Sequence, residues 1–230
     1  MNKILDWDTN FFGFDVYRLD TSNETKINKF LKGIKSKSLI YVFTGKSQLS
    51  QLFCEKNNCK MVDTKIVFKK QLEFSYKEDV FIDEYESLVP SDDLIRLAYL
   101  SGNCSRFKLD ERLPKGKFEE LYLKWIENSI KDVNTKVFVF KEKEVIIGFV
   151  TLSIFRDYGQ IGLIAVFPDV QGKGIGKRLI SYCESYLKLN KNIDMIFIPT
   201  QKHNEMAMKF YIKLGYSVIA KNYIYHIIKE

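Results

Sequence analysis

The chain has 230 residues, of which 46% are hydrophobic and 28% are charged, a balance typical of folded globular proteins and too apolar for a disordered chain. This length accommodates one large domain or two small ones. The 36 basic and 29 acidic residues give a formal charge of +7. Such a charge favours a polyanionic partner, whether nucleic acid, an anionic membrane or a small molecule with a pyrophosphate group, without choosing among them.

Cysteine and histidine are too sparse for a disulfide scaffold or an ordinary metal centre. The four cysteines have no paired metal-ligand spacing: Cys54, Cys59, Cys104 and Cys183. With only His203 and His226 available, we predict no metal site. The opening residues include acids and no apolar run of signal-peptide length, and no segment reaches the roughly 20 apolar residues of a membrane helix. We therefore expect a cytoplasmic protein without a membrane partner.

The first third of the chain alternates short β-rich runs with helical segments. The runs predict strands at Val16–Leu19, Leu39–Phe43 and Met61–Phe68. Helices are predicted between them at Lys26–Ile34 and Gln48–Glu55. This alternation indicates a small α/β domain, residues 1–78, and the aperiodic stretch 73–90 marks its boundary with a second domain, residues 79–230.

The second domain continues with two helices and a hairpin. A helix at Leu94–Leu100, capped by Ser91 or Asp92, precedes an amphipathic helix at Phe118–Ile130. The remaining predicted strands are Val137–Phe140 and Val145–Ile154 as an antiparallel hairpin, Gln160–Phe167, Met195–Ile198, Ser217–Ile219 and Tyr223–Ile228. The apolar run at Gln160–Phe167 is typical of a strand in the middle of a sheet.

A glycine-rich segment follows this central strand directly. It contains the residues Gln171, Gly172, Lys173, Gly174, Ile175, Gly176 and Lys177. Apolar residues at every fourth position from Ile175 to Leu187 predict a helix that begins within or just after the glycines. The free N–H groups and partial positive charge of a helix N-terminus attract anions, and glycine lets them approach, so the segment predicts a phosphate site. The alternative is a tight turn, and the spacing matches neither the nucleotide-triphosphatase loop nor the dinucleotide fingerprint.

The pattern Gln171-x-x-Gly174-x-Gly176, preceded by Val166-x-Pro168, resembles the acyl-CoA-binding motif of the GNAT (Gcn5-related) N-acetyltransferases. The resemblance implies an α/β fold with a mixed, mostly antiparallel sheet flanked by helices, and acetyl-CoA as the cofactor. It also implies that main-chain N–H groups of the glycine-rich segment hold the CoA pyrophosphate. The pantetheine arm would pair with the strand residues Ile164, Ala165 and Val166.

A second motif, Asn-x-x-Ala-x-x-Phe-Tyr-x-x-Leu-Gly-Tyr, begins at Asn204 and is similar to the family's second CoA motif. The resemblance implies that Tyr211 donates a proton to the departing thiolate, although an aromatic packing role is the alternative. Asn204 would position the pantetheine or a water, or else only cap the helix. Ala207 and Phe210 would line the cofactor channel. The base remains open between Asp157, acting through water, and backbone carbonyls.

Motifs in the other half resemble the dTDP-fucosamine acetyltransferases. They are Leu5-Asp6-Trp7-Asp8-Thr9-Asn10-Phe11-Phe12-Gly13, Ser105-Arg106-Phe107, Trp125-Ile126-Glu127-Asn128 and Tyr223-Ile224-Tyr225. The resemblance implies that Arg106 meets the pyrophosphate of a nucleotide sugar and that Phe107 or Trp7 packs on its base or sugar. Alternatively, Arg106 pairs with Asp110 or Glu111. Phe11-Phe12-Gly13 is expected to be a structural corner.

The resemblance therefore implies transfer of an acetyl group from acetyl-CoA to the amino group of a nucleotide-linked 4-amino-4,6-dideoxyhexose, with dTDP as the nucleotide, for cell-surface polysaccharide. It also implies a homodimer. One alternative is acetylation of protein N-termini or small amines on the same fold. Another is a basic nucleic-acid-binding module, against which the lysines lack interleaved aromatic residues.

Overall fold

The computed structural model describes residues 2–73 and 79–230, in which ten strands and eight helices are found. The described chain forms two compact units. The first comprises the residues up to Ile66, Gln201–His203 and Ala220–Glu230, and the second comprises Val67–Thr200 and Asn204–Ile219. The predicted domain boundary at residue 78 adjoins residues outside the described part of the chain, and it stays a prediction.

The first unit is a sheet with three helices. Its elements are β1 (Asn2–Ile4), α1 (Asp6–Phe12), β2 (Asp15–Asp20), α2 (Glu24–Gly33), β3 (Ser38–Phe43), α3 (Gln51–Lys56), the start of β4 (Cys59–Gln71) and the end of β10 (Ser217–Lys229). The strand order is β1-β2-β3-β10-β4, with β2 and β3 parallel and β10 antiparallel to β3. Its core includes Ile27, Ile40, Val42, Phe53 and Tyr225.

The second unit contains the remaining elements. They are the end of β4, β5 (Ile82–Glu84), α4 (Asp92–Ser101), α5 (Arg106–Leu109), α6 (Lys117–Lys131), β6 (Thr135–Glu142), β7 (Val145–Ile154), β8 (Gly159–Val166), a 3-10 turn (Pro168–Val170), α7 (Ile175–Lys191), β9 (Met195–Gln201), α8 (Glu205–Lys213) and the start of β10. The strand order is β4-β9-β8-β7-β6-β5. The pairs β5–β6, β6–β7 and β7–β8 are antiparallel, whereas the pair β8–β9 is parallel.

Helices cover both faces of the second unit's sheet. Val137 and Val139 of β6 share a core cluster with Leu97 of α4 and Ile126 of α6. Phe138, which lies between the two valines, contacts Tyr182 and Tyr186 of α7 instead, at ring distances of 4.9 and 5.2 Å. Because neighbouring side chains of a strand point to opposite faces, α7 lies on the face opposite α4 and α6. The predicted fold, a mixed sheet flanked by helices, is confirmed.

The predicted elements recur with small shifts at their ends, and one prediction was wrong. Ser217–Ile219 and Tyr223–Ile228 are not two strands but parts of one strand, β10, because residues 220–222 contain no glycine or proline to break it. The short elements β1, α1, β5 and α5 were not predicted. Phe11 and Phe12 are buried and Gly13 ends α1 in the left-handed conformation, as expected for a structural corner. Within the described residues, no helix combines the length and apolarity needed to span a membrane.

Candidate functional site

The two edges of β8 differ in their hydrogen bonding. Towards β7 the strand is paired as far as Val166, with Leu163 N–H donating to Thr151 Oγ1 at 2.8 Å and Phe167 N–H to the Ile147 carbonyl at 3.0 Å. Since N–H directions alternate along a strand, the N–H groups of Ile164 and Val166 point to the other edge. There the described pairing with β9 is confined to Gly159 and Gln160. The β9-facing edge is therefore open beyond residue 160.

A β-bulge bends β8 at the start of this open edge. The β7–β8 register shifts between Val150 and Leu152, which leaves Thr151 opposite Gly162 and Leu163. A Cβ atom at Gly162 would lie 2.8 Å from Thr151 Oγ1, so the position requires glycine. The Thr151 hydroxyl accepts the Leu163 N–H that the bulge removes from the ladder. Bulges increase the local bend and twist of a strand, which is consistent with the separation of β8 from β9.

The glycine loop, defined as residues Gln171–Lys177, follows the 3-10 turn and includes the first residues of α7. Gly172 and Gly174 are left-handed, with φ of 79° and 83°, and a Cβ atom at either would meet nothing within 4 Å. Gly174 is the N-cap of α7 and contributes no side-chain cap. The Gln171 N–H is bonded to the Pro168 carbonyl, and the Gln171 side chain donates to the Val166 carbonyl at 3.0 Å. Within the described residues, the N–H groups from Gly172 to Lys177 are left for a ligand.

The basic side chains around the glycine loop are of two kinds. Lys173 and Lys177 are exposed. Arg178 instead forms a two-point ion pair with Asp79 and lies over the rings of Phe81 and Phe140, at 4.9 and 4.5 Å. Hydrogen bonding from Arg178 lowers the pKa of Asp79 below its ordinary value. The positive charge of Arg178 is therefore already compensated within the protein.

Helix α8 brings the second motif to the glycine loop. Asn204 caps the helix, with Oδ1 accepting the Ala207 N–H at 3.1 Å, and Ala207 is half-buried. A Cβ atom at Gly176 would lie 3.4 Å from the ring of Phe210. The first turn of α7 and helix α8 therefore lie against each other. The two motifs, 28 residues apart in sequence from Gly176 to Asn204, form one continuous surface.

Tyr211 follows Phe210 and is 3% exposed. Its ring packs against those of Phe68, Phe210 and Tyr216, with centroids 5.5, 5.3 and 6.1 Å away. Burial raises the pKa of Tyr211 far above its ordinary value, so the hydroxyl carries its proton throughout the neutral range. No hydrogen bond to this hydroxyl is found within the part of the chain that the structure describes. The side chain is thus both a packing residue and an available proton donor.

Tyr216, beside Tyr211, has a different environment. Its hydroxyl donates to Glu184 Oε1 at 2.7 Å, and Lys70 Nζ pairs with the same carboxylate at 2.8 Å. Burial and the neighbouring Glu184 raise the pKa of Tyr216. Glu184 and Lys70 line a cavity of about 720 Å³ whose walls do not include the glycine loop. Of the two buried tyrosines, Tyr216 is tied to a carboxylate and Tyr211 is not.

The residues predicted to bind substrate lie in both units. Ser105 caps α5, and Arg106 lies over the ring of Phe107 at 4.3 Å. Phe107 is 8% exposed and packs edge-on against Trp125, so its ring supports Arg106 from within the second unit. Asp110 forms its ion pair with Arg112, at 2.8 Å. Trp7 belongs to the first unit, where it is 43% exposed and stacks on Phe11.

Sequence reasoning missed Thr151 and Gly162, and it left the base open between Asp157 and backbone carbonyls. Gly162 is an isolated glycine in a strand pattern, which is a signal for a bulge. No such signal marks Thr151, because its role depends on the β7–β8 register. Asp157 is exposed in the turn before β8, seven residues before Ile164, which is about 23 Å along a strand. A base at Asp157, acting through water, stays a prediction.

A mixed sheet with an open central strand edge, a glycine loop at a helix N-terminus and a second helix carrying a buried tyrosine defines a class of acyl-CoA-binding proteins. Residues 103–216, which contain β8, α7 and α8, match the acetyltransferase (GNAT) family model. This segment is therefore similar to the acetyltransferase domains of the GNAT family, whose enzymes use acetyl-CoA as acyl donor.

Similar proteins agree with this assignment. The GCN5-related N-acetyltransferase from Sphaerobacter thermophilus has a TM-score of 0.59 and 14% identity, covering 99% of this chain and 76% of that one, which supports the fold alone. The spore coat polysaccharide biosynthesis protein SpsD of Bacillus subtilis is 26% identical over 60% of this chain and 47% of its own length. The uncharacterized N-acetyltransferase YobR of Bacillus subtilis is 29% identical over 37% of this chain and 34% of its own length. The matches thus span less than half the length of either relative.

Proposed function

We propose that this protein transfers an acetyl group from acetyl-CoA to the amino group of a nucleotide-linked 4-amino-4,6-dideoxyhexose, with dTDP as the nucleotide, for cell-surface polysaccharide. The open β9-facing edge of β8, which leads directly to the glycine loop, is the observation that carries the proposal. A cytoplasmic location and a homodimer are parts of the proposal, and sedimentation of the purified protein tests the second.

The glycine loop suits the pyrophosphate of CoA. Its N–H groups from Gly172 to Lys177 are available, the space over Gly172 and Gly174 is open, and the N-terminus of α7 contributes partial positive charge. Lys173 and Lys177 add mobile positive charge, whereas Arg178 is already paired. Gln171 contributes through its side chain, which joins the loop to the end of β8. Backbone groups therefore supply most of the phosphate contacts.

The open edge of β8 suits the peptide-like pantetheine arm. The amides of Ile164 and Val166 face this edge, and Ala165 between them pairs with Phe149 of β7. A ligand with amide groups can extend the sheet at such an edge in the way that an added strand does. Asn204, Ala207 and Phe210 would border the arm from α8. The N–H group at Val166 is available to bond a carbonyl oxygen that gains negative charge during acyl transfer.

Acetyl-CoA supplies a thioester whose acyl carbon accepts the amine and whose sulfur leaves with the bonding electrons. Tyr211 Oη would donate its proton to that sulfur. Burial of the ring fixes the direction of this hydroxyl, and its raised pKa means that the hydroxyl is protonated at neutral pH. Holding both reactants in one complex contributes much of the rate enhancement in such transfers.

The substrate class rests on Arg106 and on the relatives. The planar guanidinium of Arg106 lies on Phe107, and a guanidinium can make two-point contact with a phosphate. Trp7 offers an exposed indole for a base or sugar ring. The name of SpsD places that relative in polysaccharide biosynthesis, which is consistent with an amino-sugar acceptor.

The deciding measurement is thiol release from acetyl-CoA with dTDP- and UDP-linked 4-amino-4,6-dideoxyhexoses, with spermidine and N-terminal peptides in parallel. Turnover with a dTDP-linked amino sugar, and none with the amines, is the expected result. Turnover with amines or peptides alone would refute the substrate class but leave the cofactor site intact. Absence of CoA binding by calorimetry would refute the cofactor site itself.

A further inference from the structure

Two of the four cysteines of the chain lie in contact within the first unit. Cys54 is on α3 and Cys59 is the first residue of β4, and their Sγ atoms are 3.6 Å apart. Both side chains are half-buried, so small reagents can reach them. They pack beside Tyr225 at the border of the first unit's core. Neither residue lies in the segment that matches the acetyltransferase family model, residues 103–216.

The backbone between the two cysteines is already held in a tight turn. The Asn57 N–H donates to the Cys54 carbonyl at 3.4 Å, and its side chain donates to the Phe53 carbonyl at 2.9 Å. Asn58 is left-handed, with φ of 48°, and its side chain donates to the Ile228 carbonyl of β10. A disulfide requires sulfurs about 2.05 Å apart. The sulfurs therefore need to move together by about 1.5 Å to form the bond.

The other two cysteines have different environments. Cys183 is a fully buried residue of α7, and this burial raises the pKa of its thiol well above the ordinary value, which keeps it in the unreactive protonated form. Cys104 is half-buried in the second unit. Among the cysteines, which all lie in the described part of the chain, only Cys54 and Cys59 have their sulfurs recorded in contact.

We propose that Cys54 and Cys59 form a dithiol that small-molecule disulfides, such as oxidised glutathione, convert to an internal disulfide. One thiolate attacks oxidised glutathione, which gives a mixed disulfide and releases one glutathione thiol. The second thiolate attacks the protein sulfur of that mixed disulfide and releases the second glutathione thiol. The protein loses two hydrogen atoms, and its two electrons reduce one molecule of oxidised glutathione to two of glutathione. The product links the end of α3 to the start of β4.

The test incubates the native full-length protein with oxidised glutathione and follows the intact mass, the cross-linked peptides and the number of free thiols. The expected product has lost two hydrogens, carries no glutathione and yields a Cys54–Cys59 peptide. Cys54→Ser and Cys59→Ser should each retain glutathione as a stable mixed disulfide, because the resolving thiol is missing. Cys104→Ser serves as the matched control and should form the internal disulfide at the wild-type rate.

Other products would overturn the proposal. Wild type that keeps bound glutathione, forms a bond between other cysteines or leaves both thiols unreacted contradicts a resolving pair. Cys54→Ala, compared by circular dichroism with wild type, provides a second variant should the serine variant fold poorly. If the disulfide forms equally fast in denaturant, the contact in the folded protein has no role and the proposal fails. Because the test does not measure acetyl transfer, its result is independent of the proposed function.

Discussion

The two proposed binding surfaces, the glycine loop and helix α5, are built in different ways. The loop offers backbone N–H groups and open space above glycines, and its neighbour Arg178 is already paired with Asp79. Helix α5 has four residues and offers side chains, with Arg106 lying on the buried ring of Phe107. A backbone surface depends on glycine at fixed positions, whereas a side-chain surface depends on tertiary packing. If the two surfaces bind different ligands, substitutions in the glycine loop should change the KM for acetyl-CoA. Substitutions in α5 should change the KM for the nucleotide sugar.

The largest effect is expected at the junction of cofactor and acceptor. Tyr211→Phe removes the proposed proton donor but retains the packing of the ring, so kcat should fall by about 10²- to 10⁴-fold with little change in the KM for acetyl-CoA. Because the pKa of Tyr211 is raised, the wild-type kcat should show no alkaline decline from this group up to about pH 10. Steady-state kinetics across pH measures both. Tyr216→Phe is the control for packing. Loss of cofactor binding with kcat unchanged would contradict the assignment.

The next effect isolates the backbone surface. Gly174→Trp should raise the KM for acetyl-CoA by about 100-fold, because the indole occupies the phosphate space and two charge-assisted hydrogen bonds of about 1.5 kcal/mol each are lost. Gly116→Trp is a matched control, since Gly116 is also a left-handed helix N-cap, with φ of 79° and no atom near its Cβ position. Isothermal titration with CoA compares the two. Equal loss in both variants would attribute the effect to backbone strain rather than to the site.

A smaller effect should isolate the side-chain surface. Arg106→Ala should raise the KM for the nucleotide sugar by about 10-fold, equivalent to about 1.4 kcal/mol, and leave the KM for acetyl-CoA unchanged. Lys108→Ala, on the same short helix, removes an exposed cation and should change neither constant. If Arg106→Ala alters the KM for acetyl-CoA instead, the division between the two surfaces is wrong.

The paired edge of β8 can be tested through stability. Thr151→Val deprives the Leu163 N–H of its acceptor and should lower the free energy of unfolding by about 1 to 3 kcal/mol. Thr151→Ser retains the hydroxyl and should lose less. Urea denaturation followed by circular dichroism gives both values. Equal losses would mean that the methyl group, not the hydrogen bond, holds the bulge.

The smallest effect concerns the Asp79–Arg178 pair. Because the pKa of Asp79 is lower in the folded state than in the unfolded state, the pair stabilises the fold at neutral pH and loses this contribution as the pH falls through the folded value. Asp79→Asn should cost about 0.5 to 1 kcal/mol at pH 7. The difference from wild type should vanish in acid. If the difference in the free energy of unfolding between wild type and Asp79→Asn grows below about pH 4, where the carboxyl gains its proton, the prediction is wrong.

Periodicity in the sequence predicted the helices and strands, and the resemblance to the GNAT family implied how they assemble into a fold. The hairpin of β6 and β7, the strand β8 and the helices α6 to α8 have clear apolar patterns, and each was found close to its expected bounds. The break in β10 was predicted wrongly because polar residues resemble a turn when their sheet partners are unknown. Helix α5 was missed because four residues are too few to display a helical period.

The candidate site was only partly predictable. The glycine loop could be predicted from the sequence because clustered glycines before a helix indicate backbone N–H groups that a ligand can approach. Thr151 was not visible, since its role is set by its position opposite Gly162 in the adjacent strand. The pairing of Arg178 with Asp79 joins residues 99 positions apart, and no local pattern encodes such a contact. Side-chain partners therefore had to come from the structure.

The path of β10 bears on how the protein folds as it leaves the ribosome. The strand's last residues, Ile224–Lys229, pair with β3, and Tyr225 and Ile227 fill the core of the first unit. Strands β1 to β3 and the start of β4 are translated long before this partner exists. The N-terminal part of the first unit therefore cannot complete its core until residue 229 leaves the ribosome. Nascent chains halted before β10 should be far more sensitive to protease in residues 2–66 than the released protein.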